Sequence, residues 1–161
     1  LSVVHPQTLH HYTPTGLSRK GPNDDFFTSY FANYPENAED RGAGAAGLSQ
    51  EERRRSTLFA VYPTQVCSVS ASNIVSLSIF PLTPNSIQVR WTLCTYGDDL
   101  DDAAIQARIA NWNEVNREDR EKLEIMQTAL NSRFATGGPL AQDDFEGTVR
   151  DFQSWLAAQI G

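Results

Sequence analysis

The stretch Ile74-Val75-Ser76-Leu77-Ser78-Ile79-Phe80 alternates apolar and small polar residues from Val75 to Ile79. A proline-rich turn follows at residues 81–86, and the run from Ile87 to Tyr96 alternates again over ten residues. Because successive side chains of a strand point to opposite faces, each run places its apolar residues on one face. Two such runs joined by a turn predict an antiparallel hairpin with one buried face.

The chain before this hairpin carries weaker signals. Thr57 to Tyr62 is rich in strand-forming residues and ends at Pro63, whereas residues 66–72 are small and polar. Ser49 and Glu52 match a capping box, which predicts a short helix from Leu48 to Glu52. Residues 1–50 otherwise lack a regular period. Residues 37–47 are expected to form a mobile surface loop, and residues 16–47 are expected to form a lid over a pocket.

The chain after Asp98 changes to a helical period. Acidic residues at 98–102 are typical of a helix N-terminus, where the helix dipole favours them. One helix is expected to end near Asn116 and a second to run from Glu118 to Arg133, with a last helix from Gln142 to Ile160. Strands followed by helices predict an α+β fold, in which the helices pack on an antiparallel sheet.

Composition narrows the class of protein. The 161 residues carry a formal net charge of −7, which argues against nucleic acid or anionic lipid as a partner. No apolar run is long enough to span a membrane, so a cytoplasmic protein is expected. Cys67 and Cys94 have neither the number nor the spacing of a disulfide framework or a metal site. Because Leu1 opens an apolar stretch without a Met, we expect the sequence to be a piece of a longer protein.

Two groups of side chains could carry chemistry. His5, His10 and His11 lie within seven residues, and Glu118 and Asp119 follow more than a hundred residues later. Two imidazoles and one carboxylate leave open positions on a non-haem iron(II), which is what an oxygenase needs. The alternatives are that the histidines are ordinary surface residues, and that the acids lie at a helix N-terminus only because the helix dipole favours them there.

Neighbouring side chains leave further alternatives open. Asn113 and Asn116 could orient the carboxylate or be exposed polar residues. The three tryptophans are interpreted as core residues. The three phenylalanines near residue 30 could cover an aromatic substrate or anchor a loop; they are Phe26, Phe27 and Phe31.

Several segments together resemble a known family. Val3-Val4-His5-Pro6-Gln7-Thr8-Leu9 resembles the segment around the second iron-binding histidine of the α subunits of Rieske non-haem iron ring-hydroxylating oxygenases. The later aspartate block of that family resembles Asn116-Arg117-Glu118-Asp119, followed by Glu124 and Gln127. The hairpin segment at residues 80–84 and the C-terminal segments at residues 127–132, 138–140 and 152–156 occur in the order that the family shows. The resemblance covers residues 1–161 as the C-terminal part of the catalytic domain.

The resemblance implies a helix-grip (START-like) α+β domain, in which an antiparallel sheet packs on a long C-terminal helix. It implies that His5 and Asp119 are iron ligands and catalytic residues, with the first histidine ligand just before Leu1 and His10 as an outside alternative. The Rieske domain is absent from this sequence, since Cys67 and Cys94 lack its motif. The fragment alone is therefore expected to be inactive.

The activity that the resemblance implies is oxygenation of an aromatic compound during its catabolism. Mononuclear Fe(II) would bind O2 beside the substrate, and electrons would come from NAD(P)H through a reductase or ferredoxin and a [2Fe-2S] Rieske cluster. Dioxygenation, monooxygenation and demethylation are all compatible with it. The family also implies a homotrimer, with or without β subunits. The alternatives are a non-catalytic helix-grip module that binds a small apolar ligand and a relative of the β-subunit type.

Overall fold

The computed structural model describes residues 18–34, 44–96 and 101–161. These residues form an α+β fold, as expected, with a six-stranded antiparallel sheet in the order β1-β2-β3-β4-β5-β6. The strands are β1 (Ser18–Lys20), β2 (Phe27–Asn33), β3 (Arg55–Val61), β4 (Gln65–Val69), β5 (Asn73–Thr83) and β6 (Ser86–Thr95). The helices are α1 (Gln50–Arg53), α2 (Asp102–Leu130) and α3 (Asp143–Ile160). Sheet and long helices together are consistent with a helix-grip domain.

The predicted hairpin is confirmed and is longer than its alternating core. β5 and β6 pair in the register Leu77↔Trp91 and Val75↔Leu93, and the register shifts between Pro81 and Thr83. The strands therefore continue into the segment that was predicted to be the turn. Val75 is fully buried, which agrees with the expected apolar face.

The expectation that residues 16–47 form a lid is wrong for the residues that the structure describes there. Ser18–Lys20 and Phe27–Asn33 are strands, and β2 pairs with β3 along its whole length, from Phe27↔Val61 to Asn33↔Arg55. β2 lacks the alternation of buried and exposed residues that is typical of a half-buried strand. Thr28 and Ser29 are both buried although they point to opposite faces. The predicted mobile loop at 37–47 lies mostly outside the described residues, which resume at residue 44.

The predicted capping box is confirmed at α1. The Ser49 hydroxyl accepts a hydrogen bond from the Glu52 backbone N–H at 3.2 Å, and the Ser49 backbone N–H donates to the Glu52 carboxylate at 2.8 Å. The hydrogen bonds from Ser49 lower the pKa of the Glu52 carboxyl. This reciprocal pair satisfies N–H groups that the first turn of a helix otherwise leaves without partners.

The predicted helix boundary near Asn116 is wrong, because α2 runs without a break from Asp102 to Leu130. Polar residues at 116–119 look like a helix N-terminus in sequence. In the structure, the Arg117 guanidinium donates to Glu114 one turn earlier and to Glu121 one turn later. Such pairs at spacings of three and four stabilise a continuous helix across the position. The acidic start is confirmed, since the Asp101 carboxylate caps the Ala104 N–H at 2.8 Å.

α3 begins one residue after the predicted start, since Gln142 is its N-cap, ends at Ile160 as predicted, and lies against β1 and β2. Small and acidic residues of α3 make this contact. One of them is Gly147, which lets the Lys20 side chain approach so closely that an added Cβ would lie 3.0 Å from Lys20 Cδ. The apolar stripe of α3 remains partly exposed at Val149, Leu156 and Ile160.

The chain divides into two compact units. One contains the sheet and residues 140–161, and the other consists of residues 98–139, which include α2. Within the described ranges, no helix has the length and hydropathy required to cross a bilayer.

Candidate functional site

Asp119 lies in the middle of α2, not at a helix N-terminus. Its side chain is half-buried and belongs to a half-buried stripe that also contains Trp112, Val115 and Asn116. Their spacing of three or four residues places them on one side of the helix. Beyond Asp119, nearly every residue of α2 up to Leu130 is exposed, Gln127 being half-buried. Asp119 is therefore a carboxylate at the end of the covered stripe.

The opposite side of the helix is charged and exposed. Arg117 is paired with both Glu114 and Glu121, and the hydrogen bonds to Glu114 and then Glu121 raise the pKa of the guanidinium above its ordinary value. The same hydrogen bond lowers the pKa of Glu114. Because all three side chains face solvent, we assign them to helix stabilisation and not to chemistry.

Asn116 differs from the neighbouring asparagine at 113. Asn113 is exposed, whereas the Nδ2 atom of Asn116 is buried and has no hydrogen-bond partner within the part of the chain that the structure describes. A buried donor without an acceptor costs about 1–3 kcal/mol. Interpretation as an exposed polar residue is therefore right for Asn113 and wrong for Asn116.

The predicted histidine ligands lie outside the described residues. His5, His10 and His11 all fall within residues 1–17. Among residues 18–34, 44–96 and 101–161, no group of three His, Cys, Asp or Glu side chains could hold a metal ion. The combination of His5 with Asp119 therefore stays a prediction.

A second polar cluster joins α3 to the sheet. The Asp151 carboxylate accepts a hydrogen bond from the Lys20 ammonium at 2.9 Å and from the Thr28 hydroxyl at 2.6 Å. Two turns earlier, Asp144 accepts from the Lys20 backbone N–H at 2.9 Å. Sequence reasoning missed this cluster because its partners are more than a hundred residues apart. The feature of the sequence that could have indicated this cluster is a pair of acids, at 144 and 151, on one side of the predicted helix.

Three aromatic rings adjoin this cluster. The Tyr62 ring lies 5.6 Å from Phe152 and 5.2 Å from Trp155, measured between ring centroids. The Tyr62 hydroxyl oxygen is buried and has no hydrogen-bond partner among the described residues. Burial, and then the Asp151 carboxylate, raise the pKa of Tyr62. Trp155 is thus a packing residue, as predicted.

Tyr62→Phe is expected to leave stability at pH 7 nearly unchanged, because it removes a buried hydroxyl that has no partner. The raised pKa means that the unfolded chain loses this proton at a lower pH than the folded chain. Stability of the wild type should therefore fall as pH rises above about 10, and the variant should fall less steeply. Urea unfolding at several pH values checks this; parallel curves for both proteins would contradict it.

One face of the sheet is suited to an apolar ligand. Directly paired residues share a face, and the pairing follows one row across the sheet: Thr28↔Ala60, Ala60↔Val66, Val66↔Leu77 and Leu77↔Trp91. The row begins at Thr28, which contacts α3 through Asp151. The next row on this face runs through Leu58, Ser68, Val75 and Leu93. Away from α3, this face is therefore largely apolar.

The opposite face carries a small pocket. It has a volume of about 120 Å³ and is lined by residues that include Leu48, Arg55 and Val69. Ligand pockets usually enclose about 300–1,000 Å³, so this one lies below the usual range for a ligand site. Arg55 pairs with Glu51 and lies 4.3 Å above the centre of the Phe31 ring. Phe31 therefore packs against Arg55 on this opposite face of the sheet.

Comparison with known families adds a match over the whole chain. The family model described as ring hydroxylating α subunit (catalytic domain) matches residues 1–161. No curated protein matches the chain. The family match agrees with the α+β architecture and with the resemblance carried by the segments around His5 and Asp119. The chain belongs to the family of ring-hydroxylating α subunit catalytic domains.

Proposed function

We propose that this chain is the C-terminal part of the catalytic domain of a cytoplasmic Rieske-type oxygenase that hydroxylates an aromatic compound during its catabolism. The observation that carries the proposal is the family match over residues 1–161, which includes the half-buried Asp119 in the aspartate block. A Rieske domain elsewhere in the full-length protein completes the enzyme. The reaction is that of an oxidoreductase.

The residues available fit an iron(II) site. Asp119 offers a hard oxygen ligand on a covered helix stripe, and His5 would supply an imidazole nitrogen. A second imidazole would come from a histidine before Leu1. Two imidazoles and one carboxylate would leave coordination positions open on iron(II), and the bound iron would supply the activation of O2. Asp119 and His5 would hold the metal in place.

The apolar sheet face supports an aromatic substrate. Leu77, Trp91 and Leu93 are half-buried on the face that contains the fully buried Val75. An apolar wall of this kind contacts a ring without supplying hydrogen-bond partners, so it would exclude water and leave orientation to few polar groups. Ser68 is a buried polar residue on this face. Its hydroxyl would orient a polar ring substituent.

Membership of the family supports the proposed electron supply and assembly. Cis-dihydroxylation adds both oxygen atoms of O2 to the ring and consumes two electrons and two protons, which NAD(P)H would provide through a reductase or ferredoxin and the [2Fe-2S] cluster. Self-association as a homotrimer is supported by exposed apolar side chains at the end of the β5–β6 hairpin. These side chains are Phe80, Leu82, Ile87 and Val89.

An isotope experiment tests this function. The full-length protein is supplied with iron(II), NADH, a reductase and a panel of aromatic compounds under isotopically labelled O2. We expect labelled oxygen in a hydroxylated product, both atoms for dioxygenation and one for monooxygenation. The matched control is the same preparation after iron removal with a chelator. Ligand binding without any labelled product across the panel would favour a non-catalytic helix-grip module.

A further inference from the structure

We propose that Asn116 is a positioning residue, whose buried Nδ2–H is reserved for a hydrogen bond to the Asp119 carboxylate when iron(II) is bound. This inference rests on the proposed function, because it assigns Asp119 as a ligand. It goes beyond that function by naming the side chain that fixes the orientation of this ligand.

The geometry of α2 brings the two side chains together. Asn116 and Asp119 are three residues apart in a continuous helix, and both are half-buried. Side chains at this spacing have Cβ atoms about 5–6 Å apart, and amide-to-carboxylate hydrogen bonds form between them. Arg117, which lies between them in sequence, is already paired with Glu114 and Glu121 on the exposed side. Of these neighbours, Asn116 is therefore the donor on the same stripe as Asp119.

The missing partner of Asn116 is the observation that points to a bound state. A buried amide N–H without an acceptor is unfavourable, and such groups are uncommon in folded proteins. A carboxylate that binds a metal through one oxygen keeps lone pairs for a donor. A hydrogen bond from Asn116 would select one rotamer of Asp119 and reduce the ordering required when the metal binds. The cost in the metal-free protein would thus be recovered on metal binding.

A purely structural role makes a different prediction. If Asn116 only fills space, an apolar side chain of similar shape should serve equally well, since removal of an unpaired buried donor is neutral or stabilising. Asn116→Leu therefore separates the two roles. We expect it to keep or raise the melting temperature and to weaken iron(II) binding by about 10–100-fold, the usual effect of losing a hydrogen bond to a metal ligand.

The experiment measures binding of iron(II) alone to the full-length protein, by anaerobic competition with a ferrous chelator. Asn113→Leu is the matched control, because Asn113 is exposed one turn earlier on the same helix, and its affinity should equal that of the wild type. Asn116→Gln retains the amide and should recover part of the affinity. Asn116→Ala provides a second removal of the donor if the leucine does not pack.

The possible results are distinguishable. Wild-type iron(II) affinity in both Asn116→Leu and Asn116→Ala would overturn this inference and leave the proposed function intact. A full-length wild type that binds no iron(II) at the mononuclear site would overturn the proposed function and this inference with it. An Asp119→Ala variant that binds iron(II) as tightly as the wild type would overturn the assignment of Asp119, and this inference with that assignment. Weaker binding in both Asn116 variants, with an unchanged Asn113→Leu control, supports the inference.

Discussion

Asp119→Ala in the full-length protein is expected to abolish mononuclear iron(II) binding and to lower turnover by more than about 100-fold. Loss of a metal ligand should have a larger effect than loss of a group that hydrogen-bonds to a ligand, which costs about 10–100-fold. Folding should survive, because the side chain is only half-buried and lies on a helix whose interior favours alanine. Iron content after gel filtration and the rate of product formation measure the two effects.

The control for this variant is Glu121→Gln on the same helix. Glu121 is exposed and pairs with Arg117, so the change should cost no more than about 0.5 kcal/mol and leave iron content unchanged. Unchanged iron content and turnover in Asp119→Ala would refute the assignment of this residue.

The histidine partners can be assigned with the same measurements. His5→Ala should lose iron(II) as completely as Asp119→Ala, whereas His10→Ala and His11→Ala should retain it. All three residues lie within a few positions of one another, so they are matched controls for each other. Loss of iron in His10→Ala but not in His5→Ala would move the ligand to His10 and reject the family register. The carboxylate assignment would be unaffected by that result.

The parts of the fold that were predictable are those specified by local patterns. The β5–β6 hairpin follows from alternation between Val75 and Ile79, and α1 follows from the Ser49 capping box. β2 was not predictable by this means, because Thr28 is buried by its hydrogen bond to Asp151, a tertiary partner far along the chain. Local rules describe one neighbourhood of the chain and contain no information on such a partner.

The candidate site shows the same division. Asp119 was proposed as a ligand through the order of motifs, whereas its local interpretation as an acid at a helix N-terminus was wrong. Polar residues that resemble a helix start lie inside α2, because Arg117 links the turns on both sides of them. The burial of the Asn116 amide also depends on packing, so the sequence could name the residue as a candidate without distinguishing it from Asn113.

Asp151→Ala is expected to destabilise the fold by about 2–4 kcal/mol, the largest effect on stability that we expect from a single polar side chain. The side chains of Lys20 and Asp151 are 23% and 17% exposed, so their 2.9 Å ion pair is largely shielded from water. The alanine leaves the Lys20 ammonium and the Thr28 hydroxyl without their shared acceptor. Breaking a buried pair from one side costs more than the pair contributes, because the remaining charge stays desolvated.

Asp143→Ala is the matched control on the same helix. Asp143 pairs with Arg150, but the two side chains are 58% and 50% exposed, so loss of this pair should cost less than about 1 kcal/mol. Urea unfolding at pH 7 compares the two variants. A double-mutant cycle with Lys20→Met tests the cause, because Lys20→Met should remove part of the penalty of Asp151→Ala by eliminating the unpaired ammonium. Equal costs for Asp151→Ala and Asp143→Ala would show that the Lys20–Asp151–Thr28 cluster does not fasten α3 to the sheet.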